Sequence, residues 1–408
     1  MADPLIAAPA TKQHPLRNPK FRLLWAGNSI SWTGDQFYLV ALPWVVLQLT
    51  GSSIVLGTIS MMAAIPRAAL MLLGGAVTDR ISPRRIMMLT ATSRTVLVAA
   101  ISLLIWLRTL HLWQLYILAL GFGIADAFAG PAAQAYLPSL VAKDQLPAAN
   151  ALSQSTIQVA TLVAPGPAGL FIKAFGTAWA FLIDAISFLF IIGALWRLSD
   201  PPRAAAGAPR RNMLRSILDG LLYVKSDIAL TSLMLVVSVL NFASAGPASV
   251  GIAFIAKQKF GTPLAFGLLM SELAAGGLTG TLLAGVADHR RRGRLLLLVS
   301  TAIGICLSSV GLINQAPLLA AVLFLMSGTA AFLNVQLIAW FQQRVERPMM
   351  GRVMSVLGFA AMGLLPFSLA AAGVAVKWSL PGTFVIAGAM VLVVTLFAVA
   401  HRPVREID

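Results

Sequence analysis

The sequence predicts an all-α polytopic membrane protein with twelve transmembrane helices arranged as two six-helix bundles. Its residues are 58% hydrophobic and 11% charged, with a mean hydropathy of +0.85, whereas soluble domains have roughly 25% charged residues. About twelve apolar segments are each long enough to cross a bilayer core of ~30 Å at about 1.5 Å per residue. A polar turn at 74–85 returns in related form at 284–292, about half a chain length later. Two copies of one membrane unit explain this recurrence.

The predicted spans are apolar runs separated by polar turns. In the first half they cover 22–48, 55–78, 87–107, 113–136, 149–171 and 177–197. In the second half they cover 228–252, 264–287, 295–313, 316–342, 352–376 and 382–400. Six spans on each side of residue 200 agree with a doubled unit.

Two bundles joined by a linker account for the rest of the chain. We assign the N-terminal tail, first bundle, linker, second bundle and C-terminal tail to 1–21, 22–198, 199–227, 228–400 and 401–408. The linker opens with proline, alanine and arginine, a composition typical of a flexible connection. Its last part, 213–226, repeats apolar residues at helical spacing, which predicts an amphipathic helix on the membrane surface.

The distribution of lysine and arginine predicts the orientation. Most of the 30 lie in the two tails, the linker and the turns at 79–86, 137–148, 288–294 and 341–352. The turns on the other side contain only Arg108, Lys173, Lys257, Lys259 and Lys377. By the positive-inside rule both termini face the cytoplasm, and we expect a multi-pass protein of the inner (plasma) membrane.

Several functional classes are disfavoured. The net charge of +16 could suggest nucleic acid, but the basic residues lie in short turns between spans, so we expect no nucleic-acid partner. The histidines lie in tails or turns and the single cysteine lies within a span, so we expect no metal and no cofactor. Without a Walker loop or a Ser/His/Asp set, neither direct ATP hydrolysis nor another enzymatic activity is indicated.

Ionisable side chains inside the spans carry the functional signal, because each costs several kcal/mol in a bilayer unless it is paired or hydrated. Asp35, Arg67, Arg94 and Asp126 lie in the first, second, third and fourth spans. Matching depths predict the pairs Asp35–Arg67 and Arg94–Asp126. We expect Asp35 to exchange a proton, with Asp126 as second candidate and Arg67 as the partner that tunes Asp35. Structural ion pairs within the bundle are the alternative.

Uncharged side chains at similar depth are candidate cargo contacts. They flank Asp35 or lie in the fifth, seventh and tenth spans: Trp32, Gln36, Tyr38, Gln154, Gln158, Asn241 and Asn334. Gln154 and Gln158 are four residues apart and share a helix face. The alternative is that such groups only hydrogen-bond helices together. Asp184 and Glu272 are interpreted as structural or vestibule residues.

Two motifs resemble signatures of the major facilitator superfamily. The turn Gly75-x-x-x-Asp79-Arg80-Ile81-Ser82-Pro83-Arg84 is similar to Gly-x-x-x-Asp-Arg-x-Gly-Arg-Arg/Lys, with Ser82 and Pro83 replacing glycine and arginine. In the fifth span, Pro165-Gly166-Pro167-Ala168-Gly169 is similar to the Gly-Pro-x-x-Gly signature of exporters that exchange cargo for protons. The resemblance extends over nearly the whole chain.

This resemblance implies two gates. On the cytoplasmic side the turn after the second span and its second copy would latch the halves together, through Gly75, Asp79, Arg80, Arg84 and Asp288. At the outer end, Gly166 and Pro167 would give a kinked helix with few side chains, which lets its neighbours pack closely.

Shorter stretches resemble the group that contains the enterobactin exporter and macrolide-efflux proteins. These stretches are Gly34-Asp35, Ala125-Asp126-Ala127-Phe128, Leu137-Pro138-Ser139-Leu140-Val141 and Gly351-Arg352-Val353-Met354-Ser355. Common drug exporters of the superfamily carry an arginine in the fourth span. This chain has none there, and offers Arg67 and Asp126 instead.

Together these features predict a proton-coupled secondary exporter of a small organic compound, such as a siderophore or an amphipathic drug. It would work by alternating access, as a monomer in the lipid bilayer, with protons or another cation as the coupling ion. A metabolite facilitator or importer and a lysophospholipid transporter share the architecture and remain alternatives. A non-transporting receptor or scaffold would not need charges at the centre of several spans.

Overall fold

Apolar segments fold as helices in a bilayer because each backbone N–H and C=O then finds its partner within the segment. The computed structural model describes residues 14–78, 81–200, 213–286, 292–346 and 349–400, and its spans are helical, with no β-strand among those residues. Most of the predicted N-terminal tail, the first part of the linker and the whole C-terminal tail lie outside the described residues.

Seven helices form the first half. They are α1 (Pro19–Thr50), α2 (Ser53–Thr78), α3 (Pro83–Trp106), α4 (Leu112–Tyr136), α5 (Leu146–Val163), α6 (Pro165–Phe175) and α7 (Thr177–Arg197). The predicted fifth span is therefore two helices, bent by 43°. Proline at the start of α6 explains the break, because its ring removes a backbone donor and clashes with the preceding turn.

The linker helix and the second half contain the remaining helices. They are α8 (Met213–Ser226), α9 (Ile228–Gly246), α10 (Ile252–Ile255), α11 (Pro263–Val286), α12 (Arg292–Val310), α13 (Ala316–Arg344), α14 (Met350–Met362), α15 (Leu365–Trp378) and α16 (Leu380–Ala400). π-Helical turns at Pro247–Gly251 and Ala256–Phe260 extend α9 beyond the predicted end at residue 252. This extension holds Lys259, whose Nζ donates to the carbonyls of Gly311 and Ile313 at 2.9 and 2.7 Å.

Nine of the described helical stretches are long and apolar enough to cross a membrane, or ten if α5 and α6 form one bent span. The helix α1 is not among them, and the apolar part of α12 is the shorter stretch Leu297–Val310. The predicted total of twelve spans therefore stays a prediction, although the helix positions agree with the predicted segments to within a few residues along most of the chain.

The two halves repeat one packing scheme. In the first half α1 packs on α7, α2 on α4, and α3 on α7. In the second half α9 packs on α16, α11 on α13, and α12 on α16. If α5 and α6 count as one span, as do α14 and α15, these are the same ordinal pairs in each half. The recurrence of the sequence motif thus has a structural counterpart.

Helix caps repeat as well. Asn18 caps α1 by accepting from the amide of Lys20 at 3.0 Å, and its own amide donates to the Leu140 carbonyl beyond α4. Asp227 caps α9 by accepting from the amide of Ala229 at 2.8 Å, and it also binds Arg344 at the end of α13. In each half a capping side chain therefore ties the first span to the end of the fourth.

We call the end of the molecule that carries these caps the basic end, and the end that carries the turns at 51–52 and 261–262 the opposite end. The halves cross near the opposite end, where α2 meets α15 and α6 meets α11. A Cβ on Gly57 would lie 2.6 Å from the Leu369 carbonyl oxygen, and one on Gly267 would lie 2.1 Å from that of Pro165. Glycine therefore permits both crossings.

The linker helix α8 forms where the sequence predicts it, and it packs on α14. A Cβ on Gly220 would lie 2.8 Å from the Arg352 carbonyl oxygen, so the two backbones approach closely. Val224 is buried, while Leu221 and Leu222 are exposed. One face of α8 thus packs on the second half, while Leu221 and Leu222 point away from the protein.

Candidate functional site

A charged cavity of about 310 Å³ lies inside the first half, between α1, α2, α3, α4 and α7. Its polar and aromatic lining residues are Asn28, Ser31, Trp32, Asp35, Arg67, Thr90, Arg94, Asp126 and Phe188. Four residues singled out from sequence, Trp32, Asp35, Arg67 and Asp126, are thus brought together. They come from three helices, so only the packing of the bundle places them in one wall.

Arg94 is the central cation of this cavity. Its guanidinium contacts Asp126 directly, whereas Arg67 Nη1 lies 3.8 Å from the other oxygen of Asp126. The expected Arg94–Asp126 pair is therefore formed, but the expected Asp35–Arg67 pair is not. The reason lies in the packing: α2 packs closely on α4, which carries Asp126, whereas the main neighbour of α1 is α7.

Two aromatic rings hold the guanidinium of Arg94. Its central carbon lies 4.9 Å from the ring centroid of Phe122 and 5.7 Å from that of Phe188. Only 13% of the Arg94 side chain is exposed, compared with 49% for Arg67. Cation–π attraction is worth more at such a desolvated site. Arg94 is therefore fixed in the wall, while Arg67 reaches into open space.

In this region of the described structure, Asp35 and Asp184 each have a buried carboxyl oxygen without a hydrogen-bond partner. The Oδ1 atom of Asp35 is buried with no hydrogen bond, and Asp184 on α7 is 0% exposed with neither oxygen bonded. Arg94 is the cation that attracts both groups electrostatically. Asp35 lines the cavity, whereas Asp184 lies behind the wall, between α7 and α1.

Three carboxyl groups and two guanidinium groups therefore share this region. We call Asp35, Arg67, Arg94, Asp126 and Asp184 the charge cluster. With all five ionised, the cluster would carry a net charge of −1 within membrane-spanning helices, which is costly. One bound proton makes the cluster neutral. The cluster is therefore a candidate place for binding one proton.

The predicted cargo contacts on α1 separate into three positions. Trp32 lines the cavity. Gln36 is buried and directs its amide to the Trp32 carbonyl at 3.5 Å. Tyr38 is also buried and stacks on Phe122 with a centroid distance of 4.2 Å. Tyr38 therefore supports the ring that holds Arg94 and does not line the cavity.

Gln154 and Gln158 share one face of α5, as their spacing predicts, and both are exposed. Neither belongs to the wall of the charged cavity. These two predicted cargo contacts therefore do not line the charged cavity.

The second half contains a different cavity, with a volume of about 440 Å³, between α9, α12, α13 and α14. Its polar side chains are Asn241, Ser244 and Asn334, and its other lining residues are apolar apart from a glycine. No charged residue lines it among the described residues. Asn241 donates to the Val237 carbonyl at 2.9 Å, which leaves the amide oxygen available. The two asparagines predicted as cargo contacts thus share one cavity.

The predicted cytoplasmic latch is described only in part. Asp79, Arg80 and Asp288 lie outside the described residues, and Gly75 lies in α2. Among the described residues the contacts of Arg84 stay in the first half: its Nε donates to the Leu195 carbonyl at 2.7 Å and its guanidinium lies 3.5 Å from Asp200. Arg84 therefore ties α3 to the end of α7 within the first half.

The carboxylate of Asp200, just after the end of α7, also binds residues at the start of α3. It accepts a hydrogen bond from Ser82 Oγ at 2.5 Å and lies 3.3 Å from Arg85. The hydrogen bond from Ser82 and the neighbouring guanidinium groups of Arg84 and Arg85 hold the pKa of Asp200 below its ordinary value. Sequence analysis did not single out Asp200, which lies outside the predicted spans.

At the opposite end, Gly166 and Pro167 lie in the first turn of α6, just after the bend. The Gly166 amide donates to Ser271 Oγ on α11 at 3.2 Å, and a Cβ on Gly166 would lie 3.4 Å from Leu268. Lys257 adds a second contact between the halves, with its Nζ 4.8 Å from the ring centroid of Trp44. Sequence analysis missed this contact, because it placed Lys257 in a turn.

Two residues have more prominent positions than the sequence indicates. Arg94 was expected only as the partner of Asp126, yet it lies between both phenylalanine rings and attracts two further carboxyl groups. Asp184 was expected as a structural or vestibule residue. A carboxyl group in an otherwise apolar span is the signal that could have raised its rank.

Comparison with known proteins gives the family. Residues 10–408 match a family of the major facilitator superfamily described as transmembrane secretion effector. Macrolide efflux protein A of Streptococcus pyogenes is 24% identical over 399 residues, covering 95% of this chain and 97% of that protein. The multidrug efflux pump Tap of Mycolicibacterium fortuitum is 26% identical over 416 residues, covering 98% of each chain.

The enterobactin exporter EntS of Escherichia coli O1:K1 / APEC is 24% identical over 338 residues, covering 82% of this chain and 80% of that protein. Among solved structures, a mutant of the nucleoside transporter NupG superposes with a TM-score of 0.74 at 14% identity, covering 94% of this chain and 99% of that chain. A bacterial homologue of the human lysosomal transporter Spinster gives 0.67 at 14% identity, covering 96% and 97%. At such identity these two likenesses show the fold alone. The chain therefore belongs to the transmembrane secretion effector family of the major facilitator superfamily, and it is a multi-pass membrane transporter and not an enzyme.

Proposed function

We propose that this transporter exports a small organic compound in exchange for protons. The observation that carries the proposal is the charge cluster, in which three carboxyl groups share two guanidinium groups and one proton restores neutrality. The named relatives support export, since they are efflux proteins for a macrolide, for several drugs and for enterobactin. The cargo of this chain would belong to a similar class, a siderophore or an amphipathic drug.

The proposed mechanism is alternating access by two halves, residues 22–198 and 228–400, within a single chain. We expect the protein to lie in a bacterial inner membrane. By the positive-inside rule, the basic end and both termini would face the cytoplasm. The crossings at Gly57 and Gly267 then lie at the outer face. The structure would correspond to the state that takes up cargo from the cytoplasm, and separating these crossings would release it outside.

Asp35 is the proposed proton-exchanging residue because it lines the cavity while one of its oxygens has no partner. Asp126 is already engaged by two guanidinium groups. The cation that acts electrostatically on Asp35 is Arg94, and not Arg67 as the sequence predicts. Trp32 would contact cargo from the first half, and Asn241 and Asn334 would do so from the second.

The gates are proposed from the resemblance together with the crossings. Gly166 and Pro167 would close the outer end, since their helix start is bonded to α11. Gly75, Asp79, Arg80 and Asp288 would latch the cytoplasmic end in the other state of the cycle. Arg84 would stiffen the turn that carries the first latch.

Transport in proteoliposomes under an imposed pH gradient tests this function. The probes are a macrolide, enterobactin and the amphipathic cation ethidium, with wild type and Asp35→Asn compared at equal protein density. We expect wild type to accumulate at least one probe against its gradient and Asp35→Asn to lose this accumulation at least tenfold. The matched control is Asp144→Asn, because Asp144 is an exposed carboxylate in the turn between α4 and α5.

Two results would overturn the proposal. Accumulation that is equal in wild type and Asp35→Asn removes Asp35 from proton coupling. Probes that only equilibrate across the membrane, at equal rates in all three proteins, indicate a facilitator that does not use the pH gradient.

A further inference from the structure

Asp184 is the most deeply buried ionisable side chain of the charge cluster, and it has no role in the proposed exchange of a proton at Asp35. It is 0% exposed, and neither carboxyl oxygen has a hydrogen-bond partner. The hydroxyl of Ser187, one turn along α7, donates to the Asp184 main-chain carbonyl at 2.7 Å. An ionised carboxylate in this position would cost several kcal/mol.

The backbone of α1 brings Asp184 next to Asp35. A Cβ on Gly34 would lie 2.0 Å from Ser187 Oγ and 3.1 Å from Asp184 Oδ1, so α7 reaches the main chain of α1 only because residue 34 has no side chain. Asp35 is the next residue, and it faces the cavity. Asp35 therefore faces the cavity, while Asp184 is enclosed by protein on the α7 side of this contact.

The surroundings of Asp184 contain few other charges. The groups that act on it electrostatically are Asp35 and the hydroxyl of Tyr38, both on α1, and Arg94 on α3. Asp126 is occupied by Arg67 and Arg94. Arg94 is thus the one nearby cation for both unpaired carboxyl groups among the described residues, and it can balance only one of them in the ionised form.

We propose that Asp184 carries the transported proton in this state, and that Asp35 passes the proton between Asp184 and the cavity. This inference rests on the proposed proton-coupled function. In the transfer, the O–H bond of the Asp184 acid breaks as the O–H bond of the Asp35 acid forms. One negative charge moves the other way, from Asp35 to Asp184, and Arg94 attracts it in both positions. Asp35 then releases the proton to water in the cavity.

The alternative is that Asp184 is a neutral acid that never exchanges its proton. Asparagine distinguishes the two roles, because its side chain has the shape of a protonated aspartate but cannot give up a proton. We expect Asp184→Asn to lose accumulation of the macrolide, enterobactin or ethidium under a pH gradient at least tenfold. Exchange of labelled for unlabelled probe at equal pH should remain within about twofold of wild type, because exchange needs no change of protonation.

Normal gradient-driven accumulation in Asp184→Asn would overturn the proposal, since a permanently neutral residue would then suffice. Ser187→Ala is the matched control: it alters the same helix contact and leaves the carboxyl group, so it should accumulate probe like wild type. If wild type itself does not respond to the gradient, the proposed function fails. If Asp35→Asn loses accumulation and Asp184→Asn keeps it, only the present inference fails.

A second measurement decides the question if Asp184→Asn does not fold. Infrared difference spectra of wild type and Asp184→Glu, recorded on adding the transported probe, report protonated carboxyl groups directly. We expect loss of a carboxylic acid C=O band in wild type and a shift of that band in Asp184→Glu. A band that does not respond to the probe, or that is unaffected by Asp184→Glu, contradicts the proposal.

Discussion

The two halves of the molecule share a packing scheme but differ in the chemistry of their cavities. In the first half, the first and fourth spans contribute Asp35 and Asp126, beside two arginines. In the second half, the first and fourth spans, α9 and α13, contribute Asn241 and Asn334 with no charged residue in the described lining. Aspartate and asparagine have nearly the same shape. At these spans the halves therefore differ in charge more than in side-chain shape.

This contrast indicates a division of labour. A buried charge in a membrane requires counter-charges, aromatic contacts and a closely packed shell, all of which surround Arg94. Charged side chains inside membrane-spanning helices are costly and often mark proton or ion pathways. An amide can hydrogen-bond a cargo without that shell. The first half thus fits ion coupling, and the second half fits recognition of a partly apolar compound.

The largest predicted effect follows from removing the central cation. Arg94→Gln leaves Asp35, Asp126 and Asp184 with Arg67 alone, which is half exposed and 3.8 Å from its partner. Breaking a buried ion pair costs about 3–5 kcal/mol. We expect a much lower temperature of unfolding in detergent and no accumulation of probe in proteoliposomes.

Arg67→Gln is the matched control for Arg94→Gln, because it removes the same charge from the exposed side of Asp126. Its destabilisation should be at most a third as large. Equal destabilisation by the two substitutions would contradict the central position of Arg94.

The intermediate effect concerns the second cavity. Asn334→Leu removes an amide from its wall while keeping the side chain about as large. Losing one hydrogen bond costs about 1 kcal/mol, so the dissociation constant of an exported probe should rise about five- to tenfold. Tryptophan fluorescence titration measures the binding. The pH dependence of transport should not change, because Asn334 lines a different cavity from the charge cluster.

The control for Asn334→Leu is Asn150→Leu, an exposed asparagine on α5 that lies outside both cavity walls. A shift in the pH dependence of transport for Asn334→Leu, with unchanged binding, would reverse the roles assigned to the two halves.

The sequence predicts the helices of both halves well, but it predicts only one of the two charge pairs correctly: Arg94–Asp126 forms and Asp35–Arg67 does not. Predicted span 177–197 agrees with α7 at both ends, because a bilayer forces an apolar segment to satisfy its backbone internally. Pairing depends instead on how each helix is rotated and which helix it contacts. Arg67 and Asp35 lie at matching depth, yet α2 packs on α4, and Arg67 therefore meets Asp126.

Candidate site residues show the same limit. Trp32 and Tyr38 lie on opposite sides of Asp35 in sequence, and spacing alone predicts that both reach the cavity. Only Trp32 does, because the ring of Tyr38 stacks on Phe122 instead. The burial of Asp184 depends in the same way on another helix, because α7 packs against α1 where Gly34 has no side chain. Such complementarity between distant residues leaves no local signal in one sequence.

The smallest predicted effect lies at the basic end, where each half is tied by a different anion. In the first half, Asp200 binds Ser82, Arg84 and Arg85, and in the second, Asp227 binds Arg344. Because the pKa of Asp200 is held below its ordinary value of 3.8, its stabilising contribution is complete above that value. It is lost only as the pH falls through the lower pKa of the folded protein.

Asp200→Asn should therefore lower the temperature of unfolding by the same small amount at every pH from about 5 to 8. Exposed ion pairs contribute under about 1 kcal/mol, so a decrease of about 1–2 °C is expected for a chain of this size. Thermal unfolding followed by size-exclusion chromatography measures it, with Asp144→Asn as the exposed control that should show no change. A decrease that grows between pH 8 and pH 5 would mean that Asp200 titrates in this range, contrary to its contacts with Ser82 and the two arginines.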